Sequence, residues 1–429
     1  MAAWNELPKE RLDALFGENK KRYDELAALG LKLDLSRGKP GPDVLDLSNG
    51  LLGALEDWRA EDGTDVRNYG VVTGLPELKN LFAELLGVSA ERMIVGGNSS
   101  LTHMYNSFAM LYQFGAPDGM GGMDSKPWQK ADAVKILCPV PGYDRHFGAA
   151  SDFGAELVPV PMESDGPDMD EVERLASSDP AVKGIWVIPV YSNPTGCVIS
   201  EEKARRLAQM RAAAPDFRIF WDNAYGVHHL WGENSAPDIF ALCGEAGYPE
   251  RVLYYFSTSK INFPGGGVGM VAAGPRTVER MTAHIKMQTI GFDKISQLRT
   301  VRFFGGKAEN VSAHMGKIAE VLRPKFELVM DRLDSEFSGT GLVSYERPKG
   351  GYFISVDVPD GCAKRVVALA KEAGAVLTPA GATFPYGKDP RDSNIRLAPT
   401  FPSLEELGST MDLFAVCVKL AALEKWLGV

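Results

Sequence analysis

Ionisable and polar side chains follow several short apolar segments of the sequence, at the points where the predicted strands end. Lys260 follows RVLYYFSTS, Asp222 follows FRIFW, and Asn193 lies in YSNPTG after KGIWVIPV. Ser99 and Ser100 follow RMIVGGN in the same way. A desolvated lysine is a potential nucleophile, and carboxylate, amide and hydroxyl groups can hold a polar ligand. Since ligands of open parallel sheets gather at the carboxyl ends of the strands, we expect these groups to share one site.

The elements that must position these groups alternate between strand-like and helical patterns. The strand-like segments are short and rich in Val, Ile and Leu: RMIVGG, AVKILCPV, KGIWVIPV, FRIFWDNA, RVLYYFS and GMVAAG. Helical patterns lie between several of them, as in EEKARRLAQMRAAA. Such alternation is typical of an α/β fold in which helices cover both faces of a largely parallel sheet. We therefore predict a large α/β domain of this kind.

The pattern changes after about residue 300. Residues 305–336 have helical periodicity, which we expect to be interrupted near Pro324. Strand-like GGYFISVDV, helical VVALAKEAG and strand-like AVLTPA and NIRLAP follow, before a final helix. These patterns indicate a smaller α+β domain that the N-terminal segment completes. We therefore divide the chain into an N-terminal segment (1–50) that joins the small domain, a large ligand-binding domain (51–300) and the small C-terminal domain (301–429).

Composition and charge exclude several classes of protein. The 429 residues carry a formal net charge of −10 and no dense Lys/Arg block, so we do not expect nucleic-acid binding. The five cysteines are far apart and form no CxxC pair, so neither a disulfide framework nor a metal site is predicted. The N-terminus lacks the apolar segment of a secretory signal, and no apolar run approaches the ~20 residues of a membrane helix. We therefore predict a cytoplasmic protein.

Six motifs occur together in one order: YGVVTGLPELKNLF, GGNSSLTHM, SNPTG, DNAYG, STSK and NIRLAP. In this order and spacing they resemble the fold-type I aminotransferases, most nearly the aspartate aminotransferase class I superfamily. LSRGKPGPDVLDLSNG and STSKINFPGG further resemble an atypical aspartate aminotransferase subgroup. The resemblance covers nearly the whole chain and implies a mostly parallel, seven-stranded type of sheet. It also implies pyridoxal 5′-phosphate as cofactor and a homodimer whose active site is shared between subunits.

The resemblance assigns roles around the ring of that cofactor. Lys260 holds the cofactor as a Schiff base and then moves the α-proton of the substrate, and Asp222 stabilises the protonated ring nitrogen of this electron sink. Asn193 and Tyr225 hydrogen-bond the phenolic oxygen, and Tyr143 stacks on the ring. Lys260, Asp222 and Tyr225 are thus the predicted catalytic residues. From the residues alone, Asn193 also suits a simple turn before proline, and Tyr225 a half-buried core position.

The resemblance also assigns the groups that bind the cofactor phosphate. Ser99 and Ser100 open a helix, where free N–H groups and the helix dipole attract an anion, although N-capping alone would explain them equally well. Ser257 and Ser259 lie beside the lysine; the resemblance implies that Ser257 binds the phosphate, and Ser259 is a further predicted cofactor-binding residue. Tyr69, in YGVVTGLPEL, matches a tyrosine that reaches the phosphate of the neighbouring subunit.

One segment departs from the family pattern. Related chains often have PGxRxG after the lysine, with the arginine at the phosphate. This chain has PGGGVG at residues 264–269, so a glycine stands where the arginine is expected. The sequence leaves open whether another cation replaces it.

The predicted substrate site contains one assigned cation. Arg396, in NIRLAP, matches the family arginine that binds the α-carboxylate, for which a planar guanidinium is well suited. Gly38, in SRGKP, resembles the glycine whose backbone closes over the substrate, and Asn193 is also expected to contact the substrate. An acidic side chain needs a second cation, and four residues stay open as candidates: Arg37, Lys39, Arg145 and Lys294.

The predicted reaction is a ping-pong transfer of an amino group between L-aspartate or L-glutamate and 2-oxoglutarate or oxaloacetate. Alternatives on the same scaffold are an alanine or aromatic aminotransferase and a pyridoxal-phosphate-dependent β-lyase. A cofactor-binding transcriptional regulator is disfavoured, since only about thirty residues precede the resemblance. A nucleotide-binding enzyme is disfavoured because no GxGxxG joins a strand to a helix.

Overall fold

The computed structural model describes residues 4–429, and residues 1–3 of the predicted N-terminal segment lie outside the described residues. Its strands are β1 (Leu33–Asp34), β2 (Met93–Val95), β3 (Lys135–Val140), β4 (Glu156–Glu163), β5 (Gly166–Pro167), β6 (Val182–Val187), β7 (Arg218–Asp222), β8 (Val252–Ser257), β9 (Gly269–Ala273), β10 (Ser344–Tyr345), β11 (Ile354–Asp357), β12 (Ala375–Val376) and β13 (Asn394–Leu397). Its α-helices are α1 (Lys9–Ala27), α2 (Pro42–Asp46), α3 (Pro76–Leu86), α4 (Ser100–Phe114), α5 (Asp144–Ser151), α6 (Met169–Ser178), α7 (Glu201–Gln209), α8 (Ile239–Glu245), α9 (Pro275–Gln288), α10 (Lys294–Phe304), α11 (Ala308–Phe337), α12 (Ala363–Glu372) and α13 (Leu404–Leu427). Short 3-10 helices occur at Trp4–Glu6, Asn49–Gly53, Ala90–Arg92, Trp128–Lys130 and Pro385–Gly387.

The central sheet has the strand order β2-β9-β8-β7-β6-β3-β4-β5. Strands β4, β3, β6, β7 and β8 are parallel to one another, whereas β9 is antiparallel to β2 and β8. The mostly parallel sheet predicted from the sequence is therefore confirmed. Beyond the seven-stranded type, β5 adds a two-residue antiparallel strand that pairs with the end of β4.

Side chains of the central strands alternate between two hydrophobic cores, one on each face of the sheet. Along β7, Phe220 packs in one core with Trp186, at 4.4 Å between ring centroids, while Ile219 and Trp221 pack in the other. Successive side chains of a strand point to opposite faces, so a strand covered on both faces is apolar over most of its length. Asp222, the last residue of β7, is where this apolar run stops and the polar rim of the sheet begins.

The N-terminal segment folds against the C-terminal part of the chain. Strand β1 pairs in parallel with β12, with Leu33 opposite Ala375, and Leu12 and Leu15 of α1 pack on Leu423 of α13. Strands β10, β11 and β13 form an antiparallel sheet. The predicted AVLTPA strand is only two residues long in the structure. The domain boundaries at residues 50 and 300 stay predictions.

Helix α11 runs without interruption through Pro324, so the expected break near this proline is wrong. Pro324 lies on the solvent-exposed side of the helix, as does Glu320, whose carbonyl loses its partner in the helix. Water can hydrate that carbonyl, while the buried residues Leu322 and Phe326 hold the opposite face against the core. The stabilisation from burying one face of the helix therefore exceeds the cost of the hydrogen bond that Pro324 removes on the solvent-exposed face.

Two features that the sequence does not predict are a membrane-spanning helix and a metal-binding cluster. Among residues 4–429, no helix combines the length and the apolar character needed to cross a membrane. Within the same range, no cluster of three or more His, Cys, Asp or Glu side chains is arranged to hold a metal ion.

Candidate active site

The candidate site lies at the carboxyl ends of the parallel strands β3, β6, β7 and β8, which are neighbours in the sheet. Asp222 ends β7, Ser257 ends β8, and Lys260 follows three residues after Ser257. Tyr143 and Asn193 lie in the segments that follow β3 and β6. The edge at which these groups meet is thus fixed by sheet topology rather than by any one loop.

Lys260 is half-buried beside two aromatic rings. Its Nζ lies 4.9 Å from the ring centroid of Tyr225 and 5.8 Å from that of Tyr352. Burial lowers the pKa of Lys260 below its usual range, and the negative charge of Asp222 opposes this shift only in part. A larger fraction of neutral amine is therefore present at neutral pH than for a solvated lysine, which is the form that can act as a nucleophile or accept a proton.

Asp222 is only 1% exposed and has one free oxygen. Its Oδ2 shares a hydrogen bond of 2.9 Å with Nε2 of His146, whereas Oδ1 is buried without any hydrogen-bond partner. The His146 ring stacks on Trp186 at 4.4 Å between centroids and 10° between planes, which fixes the imidazole. An orphaned buried carboxylate oxygen is costly, so this arrangement favours a ligand that brings a cationic N–H to Oδ1.

His146 was missed by the sequence analysis. Its only signal in the sequence is its position three residues after Tyr143, which places both side chains near one another once α5 forms. In the structure the two rings contact edge to face at 5.0 Å. The pairing of His146 with Asp222 joins residues 76 positions apart, and local periodicity cannot reveal it.

Arg396 lies on β13 and is 8% exposed. Its Nη1 donates to Asn193 Oδ1 at 3.2 Å and approaches Asp144 Oδ1 at 3.3 Å. The guanidinium carbon lies 4.8 Å from the ring centroid of Phe353. Its Nε is buried and has no hydrogen-bond partner. One side of the guanidinium is thus held by the protein, and Nε remains available for a carboxylate. Asp144, a second residue that the sequence analysis missed, has no signal beyond its place at the start of α5.

Gly38 lies directly over this arginine–aromatic pair. A Cβ atom at Gly38 would fall 2.2 Å from the ring of Phe353, so any other residue would push the N-terminal segment away. The structure therefore brings the predicted Gly38 to the Arg396 side of the site. The close approach, rather than a positive φ angle, explains why glycine is needed here.

Two tyrosines add neutral hydroxyl groups to the site. Tyr225 is buried, and burial raises its pKa well above the usual range, as it also does for the pKa of Tyr143. Both hydroxyl groups therefore keep their protons at neutral pH and can donate hydrogen bonds to a ligand oxygen.

Four serines lie at or beside the start of α4 and are called the serine group below: Ser99, Ser100, Ser257 and Ser259. Ser257 Oγ donates to Ser259 Oγ at 3.0 Å, and Ser259 Oγ donates to the carbonyl of Asn98 at 3.3 Å. Ser99 precedes the first turn of α4, but its side chain makes no capping bond to the helix, and Ser100 is buried in that turn. The alternative explanation of Ser99 as a simple N-cap is therefore not supported by the structure. Free N–H groups and hydroxyl donors at a helix N-terminus form a site for an anion such as phosphate.

Tyr69 stands apart from the other predicted site residues. Its side chain is 79% exposed, and no hydrogen bond or aromatic contact joins it to them in the described part of the chain. Its loop packs on the segment before α10, where a Cβ at Gly291 would fall 2.2 Å from the carbonyl of Gly70. Lys294 Nζ donates to the same carbonyl at 3.1 Å.

The other open candidates for a second cation are solvent-facing. Arg37 and Lys39 are exposed, with Lys39 Nζ 4.0 Å from the ring centroid of Phe401. Arg145 is also exposed, and its Nε lies 4.0 Å from Asp144 Oδ2. Arg145 thus shares the carboxylate of Asp144 with Arg396.

The residues present fit pyridoxal phosphate by their donors and acceptors. Asp222 offers an orphaned acceptor for a protonated ring nitrogen, and Lys260 offers an amine of lowered pKa for the aldehyde. The serine group offers an anion site for the phosphate. Three separate features of the chain thus match three of the polar groups of one molecule: the ring nitrogen, the aldehyde and the phosphate.

Comparisons with known proteins show which family the chain resembles. A family model described as aspartate amino-transferase matches residues 7–429. The chain is 46% identical over 420 residues to the aspartate aminotransferase of Corynebacterium glutamicum, covering 97% of this chain and 96% of that protein.

Solved structures give the same likeness. The crystal structure of an aspartate transaminase from Corynebacterium glutamicum superposes with a TM-score of 0.95, at 45% identity and 99% coverage of both chains. An α-aminoadipate aminotransferase from Thermus thermophilus, complexed with N-(5′-phosphopyridoxyl)-L-leucine, has a TM-score of 0.74 at 23% identity, covering 92% of this chain and 93% of that one. The second likeness concerns the fold alone.

Proposed function

The chain belongs to the aspartate aminotransferase family, and we propose that it moves an amino group between L-aspartate or L-glutamate and 2-oxoglutarate or oxaloacetate with pyridoxal 5′-phosphate. The observation that carries this proposal is the buried Asp222, with one oxygen bonded to His146 and the other without a partner. It stands on the same rim as Lys260, whose pKa is lowered by burial.

When bound, the cofactor supplies an electron sink that acidifies the α-proton of an amino acid. Asp222 Oδ1 would hold the ring nitrogen in its protonated form, because a buried carboxylate favours a cationic neighbour. Asn193 and Tyr225 would hold the phenolic oxygen, and Tyr143 would stack on the ring. Ser99, Ser100, Ser257 and Ser259 would hold the phosphate, with the start of α4 supplying free N–H groups.

Lys260 performs the proton transfer in this proposal. Its Nζ would accept the proton from Cα of the amino acid and would then donate it to the reacting carbon of the cofactor. Desolvation favours the neutral amine that this step needs, and the rings of Tyr225 and Tyr352 help to keep water away from it.

Arg396 would bind the α-carboxylate of the substrate. Asn193 holds Nη1 at 3.2 Å, so the guanidinium is oriented before the substrate arrives. The buried Nε, which has no partner in the free protein, would gain one from the carboxylate. Gly38 would close over the substrate, since its lack of a side chain lets the backbone lie on Phe353.

A second copy of the chain would complete the site. Tyr69 is 79% exposed, and the neighbouring surface carries further exposed apolar residues, Ile290 and Ile295, beside the Gly291 contact. Such a surface is typical of one that is covered in an assembly. We propose a homodimer in which Tyr69 reaches the phosphate bound by the partner, and we place the enzyme in the cytoplasm.

An absorption spectrum tests the cofactor and its attachment. The purified protein is expected to absorb in the near-ultraviolet to visible range, and L-aspartate is expected to bleach that band. Lys260→Ala should lose amino transfer, with Lys286→Ala, on α9, as a matched lysine control. A colourless protein that gains no band with added pyridoxal phosphate, or a Lys260→Ala variant with full activity, would overturn the proposal.

Donor profiling tests the substrate. With 2-oxoglutarate as acceptor, L-aspartate is expected to give a larger kcat/KM than L-alanine, L-phenylalanine or L-tyrosine. A preference for one of those amino acids would replace the aspartate assignment. Release of a keto acid and ammonia without any acceptor would indicate β-elimination instead.

A further inference from the structure

Arg299, on α10, is a guanidinium without an acidic partner. Its Nη2 donates to the carbonyl of Gly266 at 3.4 Å and to Ser296 Oγ at 3.3 Å. Its Nε is buried and makes no hydrogen bond. Among residues 4–429, no carboxylate lies within ion-pair distance of this arginine. A half-buried cation in contact only with neutral groups favours an anion that the chain itself does not supply.

The contact with Gly266 places Arg299 next to a glycine run that lies against the start of α4. Gly266 is followed by Gly267, and a Cβ at Gly267 would fall 3.4 Å from the carbonyl of Asn98. That same carbonyl accepts the hydrogen bond from Ser259. The glycine run therefore contacts the Arg299 guanidinium through Gly266 and lies, through Gly267, against the residue whose carbonyl accepts from Ser259.

Gly266 lets the arginine approach the loop closely. A Cβ at Gly266 would fall 3.0 Å from Arg299 Nη2, so a larger residue there would crowd the guanidinium. The sequence departs from the family pattern in the same run, with glycine where an arginine is expected. Loss of a cation from the loop thus coincides with the approach of a cation from α10.

The negative charge of a phosphate group explains why a cation is needed at this site. The serine hydroxyl groups and the N–H groups of α4 are neutral donors, whereas a phosphate monoester carries close to two negative charges at neutral pH. Charge-assisted hydrogen bonds are roughly twice as strong as neutral ones, and a guanidinium matches the geometry of phosphate oxygens. We propose that Arg299 supplies the positive charge that binds the phosphate group of the cofactor. This inference rests on the proposed function, namely that the chain binds pyridoxal phosphate.

The experiment compares two forms of the cofactor that differ only in the phosphate. Apoprotein is titrated with pyridoxal 5′-phosphate and separately with pyridoxal, and each dissociation constant is read from the absorption band. Arg299→Gln keeps hydrogen-bond donors but removes the charge, and Arg299→Lys restores it. Arg302→Gln, on the same helix, is the matched control, because Arg302 contacts the carbonyl of Arg59 and lies 3.6 Å from Asp57 instead.

Arg299→Gln is expected to weaken pyridoxal phosphate binding on the order of 10- to 100-fold, as expected for a lost hydrogen bond to a charged group. Pyridoxal binding should not change, Arg299→Lys should recover part of the affinity, and Arg302→Gln should bind both like the wild type. Equal loss of both ligands in Arg299→Gln would mean that the arginine only shapes the glycine run and would overturn the inference. Unchanged binding of pyridoxal phosphate would overturn it as well. If the wild-type protein binds neither ligand, the proposed function itself fails, which a failure of Arg299→Gln alone does not imply.

Discussion

The two charged ends of the candidate active site, Asp222 and Arg396, are built in different ways. Asp222 is the last residue of a central strand, and its bonded neighbour, His146, is fixed by stacking on Trp186 of the adjoining core. Arg396 comes from the small antiparallel sheet near the C-terminus, and its partner Asn193 comes from a segment that follows a strand of the central sheet.

This difference separates two tasks. At the Asp222 end, packing and the bond to His146 fix the carboxylate. Its negative charge therefore has a fixed position before any ligand binds, as electrostatic catalysis requires. The Arg396 end joins distant parts of the chain through polar contacts that a substrate carboxylate can share. We therefore expect changes at Asp222 to act on the rate of the chemical step and changes at Arg396 to act on substrate binding.

The largest effect is expected from Asp222→Asn. The amide has the same shape but no negative charge to hold the ring nitrogen in its protonated form, so kcat should fall by about 10²- to 10³-fold, the loss seen when a preorganised stabilising group is removed. The change is measured as kcat at saturating aspartate and 2-oxoglutarate.

Asp216→Asn is the matched control for that substitution. Asp216 precedes the same strand at its opposite end, is buried, and pairs with Lys183 at 2.9 Å and with Trp128 Nε1 at 2.8 Å. Its loss should lower the free energy of unfolding and leave kcat per folded holoenzyme unchanged. Equal kcat values for wild type and Asp222→Asn would contradict the role given to Asp222.

The next largest effect is expected from Arg396→Gln. Loss of the guanidinium removes the charged partner of the α-carboxylate, and kcat/KM should fall by about 10²-fold, mainly through a higher KM, since a hydrogen bond to a charged group is lost. Steady-state kinetics with aspartate measure the change. Arg391→Gln should behave like the wild type, because Arg391 is an exposed arginine five residues earlier in the chain that pairs with Asp357 instead. An unchanged KM would show that another residue binds the α-carboxylate.

The sequence predicts one of these two ends more completely than the other. Lys260 and Asp222 could be placed on one rim because each follows an apolar strand, and strands of a parallel sheet end at the same edge. Arg396 could be named only from its motif, since nothing local says that β13 meets the central sheet. The contact of Arg396 with Asn193 spans 203 residues of chain.

The residues that were missed share one physical reason. His146 and Asp144 contact partners that are distant in sequence, and Arg299 contacts Gly266, 33 residues away. The uninterrupted α11 was missed because tolerance of Pro324 depends on which face of the helix is buried. Tertiary packing sets each of these outcomes, whereas periodicity reports only the element itself.

A smaller effect is expected at His146, which we regard as a positioning residue for Asp222. His146→Ala removes the bond to Oδ2 and the stack on Trp186, so kcat should fall by about tenfold, near the lower limit for a hydrogen bond to a charged group. His146→Gln retains a donor and should recover part of this loss. A purely structural role would instead lower thermal stability without rescue by glutamine, so melting temperatures are compared alongside kcat.

The smallest effect, and the one of opposite sign, is expected from Asp144→Asn. Asp144 Oδ1 lies 3.3 Å from Arg396 Nη1 and its side chain is about one-third exposed, so its negative charge weakens the attraction of Arg396 for a second carboxylate. Removing that charge should lower KM by about 2- to 5-fold, because a partly exposed charge pair contributes below ~1 kcal/mol.

The effect should be similar for aspartate and 2-oxoglutarate, since both present a carboxylate next to the reacting carbon. Asp152→Asn, at the other end of α5 and bonded to Tyr105, is the control and should leave KM unchanged. A higher KM in Asp144→Asn would mean that Asp144 orients the guanidinium more than it competes with the substrate, and the Arg396 end would then be as preorganised as the Asp222 end.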